Sequence, residues 1–117
     1  MQRIVYVDGQ FVEEQDAKVS VFDRGFLFAD AVYEVTAVIN SKLAEYDGHV
    51  TRLQRSCREL SLQLPVSMEE LKAIHLALIE KNQLSEGAIY LQLSRGNAGD
   101  RDFHFPGAEV KATLVLF

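Results

Sequence analysis

Cysteine occurs once in the 117 residues, and a single thiol, Cys57, excludes both an internal disulfide and any CxxC metal or redox site. One unpaired cysteine also agrees with a reducing compartment. Basic runs are missing too. Lys and Arg total 12 against 17 Asp and Glu, a formal charge of -5, so no stretch gathers the cationic density that draws in a nucleic-acid backbone. No segment approaches the roughly 20 apolar residues of a membrane-spanning helix. The N-terminal apolar run, Ile4 to Val7, stops at Asp8 and is too short for a signal-peptide core. The expectation is a cytoplasmic protein with neither nucleic acid nor membrane as partner. The phosphate-cradling patterns GxGxxG and GxxxxGK followed by Ser or Thr do not occur. His49, His75 and His104 lie far apart with no acidic pair framing them, so no metal site is expected.

What is present reads as one folded domain, since 48% of residues are hydrophobic and 25% charged. Asp8-Gly9 between two β-rich runs is a hairpin signal, because both turn positions need positive φ. From Ala31 to Asn40 the chain alternates: Tyr33, Val35, Ala37 and Ile39 fall on one face, Val32, Glu34, Thr36 and Val38 on the other. Asn40-Ser41 turns this strand into a second hairpin over residues 42–46. Asp47 is placed to cap a helix whose stripe is Val50, Leu53, Cys57, Leu60 and Leu64, with Pro65 ending it. Ser67 and Glu70 form a capping box for a second helix that buries Leu71, Ile74 and Leu78. Two further strands follow, over 88–95 and 111–117. This order predicts an α+β fold: an antiparallel sheet with two helices packed on one face. The other face, carrying residues such as Tyr33 or Glu34, is left for a ligand or a second domain. The chain stops at Phe117 on an apolar strand, which reads as a piece of a longer protein.

Few side chains stand out for chemistry. Arg52 falls in the first turns of the first helix, where a guanidinium and the helix dipole together favour an anion, or where it simply faces solvent beside Arg55 and Arg58. Residues 94–107, SRGNAGDRDFHFPG, hold Arg95, Arg101 and His104 in a glycine-rich loop; Arg101 would grip a carboxylate, or the segment is a plain surface turn. His75 reads as a helix-face residue and Cys57 as a small core residue. Tyr33 offers a directional donor at a pocket edge, while Glu34 braces the strand or an arginine such as Arg24.

Taken in order, DRGFLFADAVYEV, HVTRL and SRGNAGDRDFHFP resemble the N-terminal domain of the fold-type IV (class IV) pyridoxal-phosphate aminotransferases, over almost the whole chain. Within that family the resemblance is greatest to the branch acting on D-amino acids. It implies that residues 1–117 form an N-terminal domain and that the C-terminal domain carrying the cofactor lysine is absent from this chain. It implies amino transfer between a D-amino acid, D-alanine foremost, and a 2-oxo acid such as 2-oxoglutarate. Arg52 matches the arginine that binds the cofactor phosphate, and Tyr33 the tyrosine lining the substrate side. Arg101 matches half of a carboxylate trap whose loop reaches a neighbouring subunit, which implies a homodimer. The DRG segment would shape the turn that delivers Tyr33, with Gly25 relaxing the backbone.

Two departures are visible. The family's trap reads Arg-x-His-x-Phe-Pro, whereas here Phe103 holds the histidine position and His104 follows one residue later. Ala29 and Ala31 stand where glycines are usual. Lys18, Lys42, Lys72, Lys81 and Lys111 match no cofactor-lysine motif, so this chain alone is not expected to transaminate. Aminodeoxychorismate lyase and branched-chain aminotransferase are rivals within the fold. Outside it stands a non-catalytic module that dimerises or binds small anions.

Overall fold

A computed structural model describes residues 2–117. Strand β1 (Ile4–Val7) turns through Asp8 and Gly9, at φ 44° and 96°, into β2 (Gln10–Glu13), and a 3₁₀ turn at Glu14–Asp16 follows. The short helix α1 (Arg24–Phe28) starts where the Asp23 side chain accepts the Gly25 N–H. It ends at Ala29 in the left-handed region, φ 54°. Strand β3 (Ala31–Ile39) turns at Asn40 and Ser41, both at positive φ, into β4 (Lys42–Leu43). The second hairpin is thus shorter than the sequence predicts, because the chain bends at Glu45 into α2 (Tyr46–Leu60).

Two boundary expectations for α2 need correction. Glu45, not Asp47, holds the N-cap position; Asp47 lies inside the first turn, where its charge still suits the positive helix end. Nor does Pro65 end the helix. Ser61 takes a left-handed conformation, its N–H donates to the Arg58 carbonyl and that of Leu62 to the Cys57 carbonyl, a Schellman closure. Leu64 therefore packs on the core from a loop. Helix α3 (Met68–Lys81) begins with the expected capping box: Ser67 Oγ accepts from the Glu70 N–H, and the Glu70 carboxylate from that of Ser67.

Strands β5 (Glu86–Ser94) and β6 (Thr113–Leu116) complete one antiparallel sheet in the order β2-β1-β6-β5-β3-β4. The register sets Val32 opposite Leu93 and Thr36 opposite Ile89, and Leu91 and Leu93 opposite Leu116 and Leu114, so one face gathers these side chains. Helices α2 and α3 cover that face with Leu53, Cys57, Leu71, Ile74 and Leu78, which forms the core. Here the α+β expectation of two helices on one sheet face is met. Glu34 also points to this covered face, however, and not to the open one.

The open face carries Tyr33, Val35 and Ile39, all exposed, beside Tyr90 and Gln92 of β5. One end of it is roofed by α1. A Cβ built on Gly25 would meet Ser94 Cβ at 2.8 Å, the Asp23 carboxylate at 2.9 Å and Gln92 Nε2 at 3.2 Å. Gly25 is therefore required by close packing against β5, not by backbone freedom. The DRG segment is likewise a capped helical turn rather than a loose one.

Opposite stability effects follow from α1. Gly25→Ala should destabilise by about 1–3 kcal/mol through overpacking. Ala29→Gly should stabilise by roughly 1 kcal/mol, since glycine adopts the left-handed C-terminal position without the Cβ penalty. Thermal or urea unfolding of the two variants reads both signs.

Candidate functional site

Strand β3 carries a buried carboxylate, and a second one lies just before it. Glu34 alternates onto the helix-covered face and is 5% exposed. A carboxylate taken out of water must be met by donors. Residues three apart on α2 meet it together: Arg52 donates Nε to Oε2 at 2.8 Å and Nη2 to Oε1 at 2.9 Å, and His49 Nδ1 lies 2.7 Å from Oε1. Burial pushes the Glu34 carboxyl up, but hydrogen bonds from Arg52 and His49 outweigh it and leave it below its ordinary value. In return Glu34 pushes the Arg52 guanidinium further up.

Arg52 is the seventh residue of α2, beyond the turn in which the helix dipole acts, so its pose is set by Glu34 rather than by the helix terminus. Its side chain is 66% exposed. Among the described residues Nη1 has no hydrogen-bond partner. The arginine is thus braced on one edge and open to solvent on the other.

Asp30 plays the matching part at the other end. Its Oδ2 accepts from Arg24 Nε at 2.9 Å and Arg95 Nε at 2.7 Å. Burial raises this carboxyl, and the hydrogen bonds from Arg95 and Arg24 more than reverse the effect. Arg95 Nη2 donates 2.7 Å to the Leu60 carbonyl at the end of α2, and Arg24 Nη1 donates 2.8 Å to the Asp102 carbonyl in the loop before β6. Glu34 therefore does not hold Arg24, as the sequence allows; Arg24 belongs to Asp30. Sequence reasoning also missed His49 and Asp30. The available signal was parity: an acid in phase with Val32, Thr36 and Val38 has to be buried and has to find cations.

Tyr33 projects to the open face and stacks on Tyr90 with centroids 5.7 Å apart, and Tyr90 stacks in turn on Phe117 at 5.1 Å. Arg101 lies over the rings of Phe28 and Phe103, at 4.7 and 4.9 Å. His104 is exposed, with its N–H and Nδ1 both 3.0 Å from Asp102 Oδ1, and the hydrogen bonds from His104 hold that carboxyl below its ordinary value. Tyr33 thus lies on the open face of the sheet, while Arg52 is held by Glu34 from the helix-covered side, and no hydrogen bond joins the two among the described residues. Among the described residues Arg101 and His104 contact neither of them. Cys57 is buried with its thiol pushed up by burial, and His75 is buried on α3 with Nδ1 2.8 Å from the Leu71 carbonyl. Burial pushes the His75 imidazole down. No helix among the described residues is long and apolar enough to cross a membrane.

A six-stranded sheet backed by two helices, with a braced arginine on the first long helix and an arginine loop before the last strand, defines a class. The chain belongs to the amino-transferase class IV family, which matches residues 31–117. It is 41% identical over 113 residues to D-alanine aminotransferase of Staphylococcus aureus (strain N315), covering 97% of this chain and 40% of that protein. Among solved structures, 4-amino-4-deoxychorismate lyase from Pseudomonas aeruginosa superposes with TM-score 0.76 at 29% identity, over 97% of this chain and 38% of that one. A branched-chain amino acid aminotransferase from Escherichia coli shares the fold with TM-score 0.85 at 21% identity, over 99% and 40%. The chain spans about 40% of the length of the curated relatives it matches first.

Acid should expose the two carboxylate nodes. Both folded pKa values lie below the ordinary 4.5 of Glu34 and 3.8 of Asp30, so their stabilisation is complete above those values and is lost as pH falls through the folded ones. Glu34→Gln should cost about 2 kcal/mol at neutral pH, less than a fully buried pair because Arg52 is exposed, and should flatten the acid limb of stability. Urea unfolding at several pH values checks both effects.

Proposed function

We propose that this chain is one domain of a pyridoxal-phosphate enzyme that moves an amino group between D-alanine or a related D-amino acid and a 2-oxo acid such as 2-oxoglutarate. The observation that carries the reading is Arg52: a guanidinium fixed along one edge by the buried Glu34 and open along the other. That is the donor set a phosphate ester needs, permanently charged and held in place before the ligand arrives. The residues present therefore fit the phosphate end of the cofactor. Bound pyridoxal phosphate supplies the electron sink that amino transfer requires. A second domain, following residues 1–117, supplies the lysine that holds it. The exposed row of Tyr33, Val35, Ile39 and Phe117 is the kind of apolar surface that a further domain covers, which supports this reading.

The chain's own residues bind and orient. Arg52 neutralises the phosphate, and His49 and Glu34 keep it from swinging away. Tyr33, steadied against Tyr90, presents its hydroxyl to the substrate side of the site. Arg101 grips the substrate carboxylate, with His104 as an accessory donor, from a loop that serves the neighbouring subunit of a homodimer. The enzyme works in the cytoplasm. Likeness to D-alanine aminotransferases supports the D-specific choice over the lyase and branched-chain alternatives.

The test uses the full-length protein. Turnover of D-alanine with 2-oxoglutarate, and none of L-leucine, is expected; turnover of L-leucine alone, or release of pyruvate from 4-amino-4-deoxychorismate alone, overturns the substrate assignment. Arg52→Ala should weaken pyridoxal phosphate binding by roughly 2 kcal/mol, about 30-fold, as read by titration of the cofactor absorbance. Unchanged affinity would remove Arg52 from the phosphate site.

A further inference from the structure

Four arginines stand around the entrance to β3, and three of them have in-plane donors engaged. Arg24 and Arg95 give Nε to Asp30, and Arg52 gives Nε and Nη2 to Glu34. Arg101 differs. Its guanidinium carbon lies 4.7 Å from the Phe28 centroid and 4.9 Å from that of Phe103, two rings 5.6 Å apart and inclined by 49°. Among the described residues its side chain has no hydrogen-bond partner. The N–H groups of a guanidinium all lie in its plane, so a side chain held by its face keeps its donor edge free for a carboxylate.

The surroundings of these rings are anchored. Phe28 is the last residue of α1, a helix pinned by the Asp23 cap and by the packing of Gly25 on Ser94. Arg24 of the same helix lies 4.7 Å from the Phe28 centroid. Its Nη1 donates to the carbonyls of Asp102, at 2.8 Å, and His104, at 3.5 Å, which flank Phe103. Buried Arg24 thus fixes the main chain on both sides of a ring that is itself 75% exposed. Within the single chain this ring meets the Phe28 ring, at 5.6 Å, and the Arg101 guanidinium, at 4.9 Å.

We propose that Phe28 and Phe103 are positioning residues that hold the Arg101 guanidinium by its face, so that its donor edge is set in advance for the carboxylate of the amino-acid or oxo-acid substrate. The inference rests on the reading of Arg101 given above. Phe103 contributes no hydrogen bond of its own to the carboxylate; it acts by fixing the orientation of the residue that does. Preorganisation of this kind strengthens binding by removing the cost of ordering a long side chain at the moment of association.

The experiment uses the full-length protein carrying pyridoxal phosphate. Phe103→Leu keeps an apolar side chain at an exposed position and removes the ring, so folding is not at stake. KM for D-alanine should rise about fivefold with kcat unchanged, and Phe103→Trp should restore it. In ¹⁵N-arginine spectra the Arg101 Nε–H should be displaced by ring currents in the native protein and in the Phe103→Trp variant, and should move part of the way towards the free-arginine position in Phe103→Leu, which keeps the Phe28 ring. Unchanged KM and an unchanged Arg101 signal in Phe103→Leu, while Arg101→Ala raises KM, would overturn the positioning role and leave the carboxylate role standing. An Arg101→Ala variant with native KM would remove the carboxylate reading, and this inference with it.

Discussion

A carboxylate taken out of water has to be met by hydrogen-bonded cations, and two such groups four residues apart, Asp30 and Glu34, organise most of what surrounds β3. Each is placed by packing: Glu34 by strand parity, Asp30 by the turn between α1 and the strand. Each then recruits arginines from distant parts of the chain. Glu34 calls on α2 through Arg52 and His49, and Asp30 joins α1 to the end of β5 through Arg24 and Arg95. Remaining guanidinium donors reach the Leu60 and Asp102 carbonyls, which ties the end of α2 and the arginine-bearing loop to the same node. Neither node adds much net stability over an apolar pair, but removing one partner strands a charge. Their contribution is to specify which side chains meet.

The same arithmetic divides the arginines by task. Arg24 and Arg95 are largely buried and their donors are spent on the protein, so they are structural cross-links. Arg52 spends one edge on Glu34 and faces solvent with the other, which suits a ligand that arrives already charged. Arg101 rests against aromatic rings, a weaker restraint, and its side-chain donors have no hydrogen-bond partner among the described residues. On the function proposed above, a phosphate site that must stay filled and a substrate site that must exchange its occupant would call for these two different degrees of restraint.

Much of the fold is legible in the sequence because local signals and tertiary packing agree. The Asp8-Gly9 and Asn40-Ser41 turns, the Ser67 to Glu70 capping box and the alternation along β3 each state a backbone geometry that the sheet then uses. The differences fall where closure is made by backbone rather than side chain. Nothing in the residue types at Glu45 or Ser61 announces a left-handed conformation, so the sequence points instead to an Asp47 cap and a helix running on to Pro65. Gly25 misleads for a related reason: a glycine needed for close approach looks, in sequence, like one needed for freedom. At the site, Arg52 and Tyr33 are visible as residues, while the partners that give them a pose are not, since a buried acid declares its need for cations without naming them.

The register of β3 shows why packing and chemistry stand or fall together. All nine of its residues are paired with β5, from Ala31 opposite Ser94 to Ile39 opposite Glu86. A slip of one residue would turn Val32, Thr36 and Val38 out of the core, a large loss of apolar burial. The same slip would carry Glu34 away from Arg52 and His49 and turn Tyr33 inward, leaving a phenol beneath the helices and a carboxylate on the open face. The alternation that buries the aliphatic residues is therefore also what delivers the acid to one side of the sheet and the phenol to the other. A substitution that weakens the hydrophobic face of β3 acts on the site without touching it, because the register that buries that face also sets Tyr33 and Glu34 in their opposite orientations.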